Sequence, residues 1–126
     1  MPQDMQDLTV WQRAIDLTVS VYHLTKDFPR EEIYGLVSQL RRASVSVASN
    51  IAEGRGRLNP AEFRQFLGVA LGSTFEIKTQ LIVAKRLEMG HSDAIDEAMA
   101  LSQEVSKMLT SFIQTLSSKA KNRTES

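Results

Sequence analysis

The chain has no cysteine. This excludes disulfides, thiolate nucleophiles and sulfur-ligated metal sites together, and makes the reducing cytoplasm the expected setting. Only two histidines are present, His23 and His91, so ordinary bases near neutral pH are scarce. Net charge is also missing: 15 Lys and Arg face 15 Asp and Glu, which gives no global attraction to nucleic acid or anionic lipid. Any polyanion would have to be held locally. Residues 1–7 carry two aspartates and two glutamines where an export signal needs basic residues followed by an apolar run, and no such signal is expected. Asp16, Arg41, Arg42, Glu76 and Lys78 interrupt every long apolar stretch, so no membrane span and no membrane partner are expected.

What is present points to helices. The 126 residues suit a single domain able to bury a core without disulfides or metals. Strong breaks at Asp27-Phe28-Pro29, at Gly54 to Pro60 and at Gly90-His91-Ser92 divide the chain into four segments. None alternates strictly in the manner of a strand. The expected fold is all-α, an antiparallel up-down-up-down four-helix bundle with short connections. Its helices should span about residues 8–26, 31–53, 60–89 and 92–117, with a frayed basic tail over 119–126.

In the first segment, Leu8, Trp11, Ile15 and Tyr22 recur near one angle, with Ala14, Leu17, Val21 and Leu24 beside them. The resulting apolar arc covers roughly 200°, wider than one core requires. The second segment has a core stripe of Ile33, Leu36, Leu40, Ala43, Val47 and Ile51. A second face carries Tyr34, Val37, Val45, Ala48 and Ala52 and is interrupted by Arg41. Its serines weaken intrinsic helicity, so packing must hold this helix. Asn59 as cap, Pro60 in the first turn and Glu62 at the capping-box position mark the start of the third segment. Phe63, Phe66, Leu67, Ala70, Ile77, Leu81 and Ala84 form one stripe there, and Leu71, Phe75, Ile82 and Met89 a second. Gly68 and Gly72, one turn apart, mark a site of close helix approach. In the fourth segment Ala98, Leu101, Val105, Met108, Leu109, Phe112 and Leu116 face inward. Surplus apolar surface on the first three helices requires something outside the bundle to cover it. Tyr34, Arg41, Val45, Gly68, Gly72 and Phe75 are the candidate positions for subunit contact or close helix packing.

The chemistry-bearing patterns are thin. Di-metal bundle enzymes use paired Glu-x-x-His motifs, and the sequence has one, Glu88-Met89-Gly90-His91, with its histidine past a helix-ending glycine. It reads as a turn, and no metal or other cofactor is expected. No triad or oxyanion loop can be named, so no catalytic residue is assigned. Gly54-Arg55-Gly56-Arg57 ahead of a helix start could hold a phosphate but lacks the ending of a P-loop. Between residues 38 and 67 five arginines outweigh two glutamates, Glu53 and Glu62. Of these, Arg42, Arg55, Arg57 and Arg64 are the candidates for nucleic-acid contact. Arg41 reads as structural, with Glu53 or Glu76 as candidate ion-pair partners. The aromatic residues sit within apolar stripes and read as packing anchors.

Asp7-Leu8-Thr9-Val10-Trp11-Gln12-Arg13-Ala14, Phe28-Pro29, Tyr34-Gly35-Leu36, Gln39-Leu40-Arg41-Arg42-Ala43, Ser49-Asn50-Ile51-Ala52-Glu53-Gly54 and Gly72-Ser73 together resemble one family. It is the four-helix-bundle proteins encoded in intervening sequences of bacterial 23S ribosomal RNA genes. The resemblance spans roughly residues 7–90 and implies an antiparallel bundle assembled into a closed homopentamer. More distantly the chain is similar to accessory proteins of diversity-generating retroelements, which share the ring and bind nucleic acid and a reverse transcriptase. It departs from them in lacking a strong positive balance. The function expected is therefore a non-enzymatic homo-oligomeric scaffold of unassigned cellular role, whose ring offers a platform to a protein or nucleic-acid partner. The alternative is a nucleic-acid-binding accessory protein, with RNA or DNA engaged by a symmetric arginine band.

Overall fold

Asn59 sets where the longest apolar helix begins. Its side-chain oxygen accepts from the Ala61 N–H at 2.7 Å, and Pro60 follows with a fixed φ and no N–H to leave unsatisfied. In this computed structural model, which describes Gln6 and residues 8–125 with side chains as far as Lys119, that helix is α3, Pro60–Arg86. The others are α1, Thr9–Thr25, α2, Leu36–Arg55, and α4, Ser92–Glu125. A 3-10 turn, Arg30–Glu32, precedes α2, and no strand occurs among the described residues.

Each helix packs on two neighbours, in the order α1–α2–α3–α4 and back to α1, while among the described residues the backbones of diagonal helices stay farther apart. All four feed one core. Leu17, Leu40, Ile51, Leu67, Ile77, Leu81, Ile95 and Leu109 are its largest fully buried apolar side chains, each stabilising the fold by about 1.5–3 kcal/mol. In α1 the buried apolar set is Val10, Ala14, Leu17, Val21 and Leu24. Leu8, Trp11 and Ile15 are half-buried at its edge, and Tyr22 is exposed. A polar belt crosses the core: Thr74 donates to the Leu71 carbonyl at 2.6 Å and shares a 2.6 Å bond with Ser106, and Ser102 donates to the Thr74 carbonyl. In α2, Ser44 donates to the Arg41 carbonyl, while Thr18 of α1 donates to the Ser44 carbonyl. Buried hydroxyls in serine-rich segments thus all have partners there, as burial demands.

Four expected boundaries move. α2 begins at Leu36 and not near residue 31, because Gly35 takes φ −108°, ψ −112°, outside the regions open to most residues. The Glu32 carboxylate then caps the helix from outside, accepting from the Leu36 N–H at 3.1 Å. Ile33 consequently leaves the expected core stripe and is 53% exposed. α3 ends at Arg86 and not at Met89, since Glu88 adopts φ +56°. The Glu88 N–H bonds the Lys85 carbonyl and the Met89 N–H the Ala84 carbonyl, the two bonds of a Schellman ending with glutamate where glycine is usual. α4 continues to Glu125, so the tail expected to fray over 119–126 is helical up to that residue. Gly54 does not stop α2 either. A methyl group there would lie 2.8 Å from Phe66 Cβ and 2.9 Å from Phe63 Cδ1, so this glycine lets α2 and α3 approach closely.

Candidate interaction surface

Tyr22 and Thr25 stand three residues apart on α1 and so share a face; Arg41 of α2 reaches across to both. Its Nε donates to Thr25 Oγ1 at 3.0 Å, and its guanidinium lies 4.6 Å from the centre of the Tyr22 ring, within cation–π range. Thr25 is buried and its own hydroxyl donates to the Val21 carbonyl at 2.7 Å. Arg41 is thereby fixed against α1. The expected acid partners serve elsewhere: Glu53 pairs with Arg57 at 3.3 Å, and Glu76 accepts from Gln80.

Around Arg41 lies a groove of about 670 Å³ between α1 and α2, lined by Tyr22, Ile33, Tyr34, Val37, Ser38, Arg41, Arg42, Val45 and Ser46. Tyr34 is 95% exposed and Val45 is also exposed. Neither arginine of the groove has a carboxylate partner among the described residues. The result is an apolar surface carrying two uncompensated positive charges.

The outward side of α3 is a second uncovered face. Val69 is 51% and Phe75 56% exposed, with Ile82 and Val83 also exposed. Gly68 and Gly72 lie between them, and a methyl group on either would meet nothing within 4 Å. The close helix approach that this pair suggests is therefore not made inside the chain. By length and composition α3 could cross a membrane, contrary to the expectation from its charges. Its other side, with Leu67, Ala70, Ile77, Leu81 and Ala84, is buried in the bundle core.

The four candidate nucleic-acid arginines do not form one group. Arg42 and Arg55 are 13 positions apart on α2, about 20 Å along its axis, and Arg42 belongs to the α1–α2 groove. Arg57 folds back, pairing with Glu53 and stacking 4.9 Å from the Phe66 ring centre. Arg55, at the end of α2, and Arg64, in the second turn of α3, have no ion-pair partner among the described residues. The larger groove, about 820 Å³ between α1 and α4, is lined by Asp16, Asp27, Glu97 and Glu104 together with Arg13 and His23. Arg13 bridges Asp16 at 2.6 Å and Glu104 at 2.8 Å. The histidine of the single Glu-x-x-His, His91, lies 3.4 Å from Asp27 in the turn after α1. No cluster of three or more His, Asp or Glu suited to a metal occurs among the described residues.

The family model for the 23S rRNA-intervening sequence proteins matches residues 6–111. The chain belongs to this family. Its fold is shared with the crystal structure of a protein of unknown function from the S23 ribosomal protein family of Bacteroides thetaiotaomicron. The TM-score is 0.78 and the identity 23%, with 89% of this chain and 99% of that one covered. Among curated proteins none matches. As with this S23 family neighbour, membership in the intervening-sequence family defines a four-helix architecture without assigning it an activity.

Sequence reasoning placed Tyr34, Arg41 and Val45 on one face, and the groove unites them. It missed Thr25, whose hydroxyl anchors Arg41, and Ile33, which it assigned to the core. Gly35 was the available signal for Ile33, since a break there releases the two preceding residues from the helical period.

Proposed function

We propose that this family member is a non-enzymatic scaffold, an antiparallel up-down-up-down bundle that assembles with copies of itself in the cytoplasm. Five subunits are favoured by the family resemblance. The antiparallel reading is supported by partner numbers that rise in one helix as they fall in the next: Phe63 with Phe112, Thr74 with Ser106 and Lys85 with Asp96. The observation that carries the assembly is the pair of uncovered apolar faces, one around Tyr34 and Val45 and the other around Val69, Phe75 and Val83. Chains that remain monomeric rarely leave contiguous apolar surface exposed.

The alternative reading is a nucleic-acid-binding accessory protein, favoured by the unpaired Arg55 and Arg64 near the α2–α3 connection. In a ring these would repeat into a charged band. Light scattering at micromolar concentration tests the scaffold, with a mass near five times the 14.1 kDa chain expected and a monomeric mass overturning it. The same sample titrated with RNA and DNA over a salt series decides the alternative. Binding that weakens steeply with salt through counterion release, and that is lost on Arg55→Ala with Arg64→Ala at unchanged mass, would establish it.

A further inference from the structure

The two uncovered faces differ in a complementary way. The α1–α2 groove holds Arg41 and Arg42 and no acid in its lining. On the outward side of α3, Glu76 stands one turn from Gly72 and is exposed, with no cationic partner among the described residues. Of the cations on the same helix, Lys78 lies toward α4 beside Ser102 and Gln103, Lys85 pairs with Asp96, and Arg64 and Arg86 stand near the two ends, at least eight residues from Gly72 and ten from Glu76. Shape is complementary too. Tyr34 projects almost fully exposed from the turn before α2, while Gly68 and Gly72 leave a strip of α3 backbone with nothing above it, where another surface can approach closely.

Resting on the homo-oligomer reading, we propose that the α1–α2 groove of one copy receives the outward face of α3 from the next. Tyr34 packs on the Gly68–Gly72 strip, and Arg42 pairs with Glu76 of the neighbouring copy. Because the two surfaces are different patches of the same chain, the contact is heterologous. Such contacts generate rings where the rotation closes and filaments where it does not. An isologous dimer centred on either patch alone would instead bring like charges together, Arg42 near Arg42 or Glu76 near Glu76, which costs affinity. Arg41, already fixed by Thr25 and Tyr22, presents a rigid positive wall beside Arg42.

The test compares the parent with Arg42→Glu, Glu76→Arg, both together, and Gly72→Trp. Oligomer mass is followed on dilution, and helical circular dichroism confirms the fold of each. Each charge reversal should weaken assembly about tenfold or more, and the double reversal should return it to within about threefold of the parent, since attraction is restored with the signs exchanged. Gly72→Trp should give a folded monomer. If the parent is monomeric, both the homo-oligomer reading and this contact fall. If the parent is oligomeric and the variants keep its mass, only this contact is overturned. Co-sedimentation of the parent with phosphatidylglycerol vesicles, abolished by Gly72→Trp while oligomer mass persists, would assign the α3 face to lipid and also overturn it.

Discussion

The junction between α2 and α3 and the junction between α1 and α4 are both helix pairs of one bundle, yet they are built differently. At α2–α3 the backbones come together over Gly54, under Phe63 and Phe66. Ser46 and Ser73 share a hydrogen bond at 3.1 Å, and the buried Gln80 donates to Gln39 at 3.3 Å. At α1–α4 a groove of about 820 Å³ remains open to solvent, crossed by the ion pair of Arg13 with Glu104. The first pair is joined by four residues, 56–59, and the second is brought together only by the rest of the fold. Where the chain itself enforces proximity, small side chains and short polar groups fill the space. Where it does not, long exposed ionic side chains span the gap.

The sharpest way to break this contrast is to add volume on the dense side. Gly54→Ala places a carbon 2.8 Å from Phe66 Cβ and 3.3 Å from the Phe63 carbonyl oxygen. The strain is about 1–3 kcal/mol and outweighs the roughly 0.8–1 kcal/mol that alanine otherwise returns to a helix interior. A clear drop in the denaturation midpoint is expected. Gly72→Ala, where the added methyl meets open space, should leave the chain's own stability equal or higher when measured at a dilution that keeps it monomeric. Equal midpoints for the two variants would show that the α2–α3 corner is not tightly packed.

The same two glycines show how much of the molecule was legible in the sequence. Both were visible as punctuation in helical segments, but residue type cannot report whether a neighbouring helix lies above the missing Cβ. Gly54 therefore read as a stop, although α2 passes through it, and the Gly68–Gly72 pair read as close packing that the chain does not make. Local signals with a single physical meaning fared better: Asn59 and Pro60 fixed the start of α3 because cap and N1 chemistry act within one turn. The start of α2 was missed because Ile33 and Tyr34 continue the apolar period past the turn. Among the site residues, Arg41 makes an inter-helix contact with Tyr22 and Thr25 and not with the expected Glu53 or Glu76. Its partners are a ring and a hydroxyl, which carry no charge pattern for sequence reading to follow.

Asn59 offers a smaller perturbation on the dense side. Asn59→Ala removes the acceptor for the Ala61 N–H and should cost about 1 kcal/mol, read as a lower denaturant midpoint at unchanged slope. Glu62 returns no bond to Asn59 among the described residues, so the reciprocal half of a capping box is absent. Glu62→Gln should accordingly leave the midpoint within about 0.5 kcal/mol of the parent. A loss at Glu62 as large as that at Asn59 would mean that the cap is shared.

The smallest effect is expected on the open side, and it carries a pH signature that the dense side lacks. Arg13 holds the Glu104 carboxyl below its ordinary range, chiefly by hydrogen bonding, which outweighs the opposing desolvation, with charge attraction the smallest contribution. A carboxylate whose folded pKa is depressed stabilises the fold fully above its unfolded pKa of about 4.3, and that contribution disappears as pH falls through the lowered folded value. Arg13 itself is raised, first by the same hydrogen bond. Its contribution is lost only when pH climbs through a value beyond the working range, so the acid limb alone should respond. Both side chains are open to solvent, and exposed pairs are weak and salt-screened. Glu104→Gln should therefore lower the midpoint slightly at pH 7, and the gap from the parent should close below about pH 4 and shrink in 1 M salt. Gly54→Ala should show the same deficit at every pH, because strain between carbon atoms does not titrate. A Glu104→Gln deficit that persists unchanged at pH 3 would mean that this side chain acts through packing, and that the two junctions are more alike than the open groove indicates.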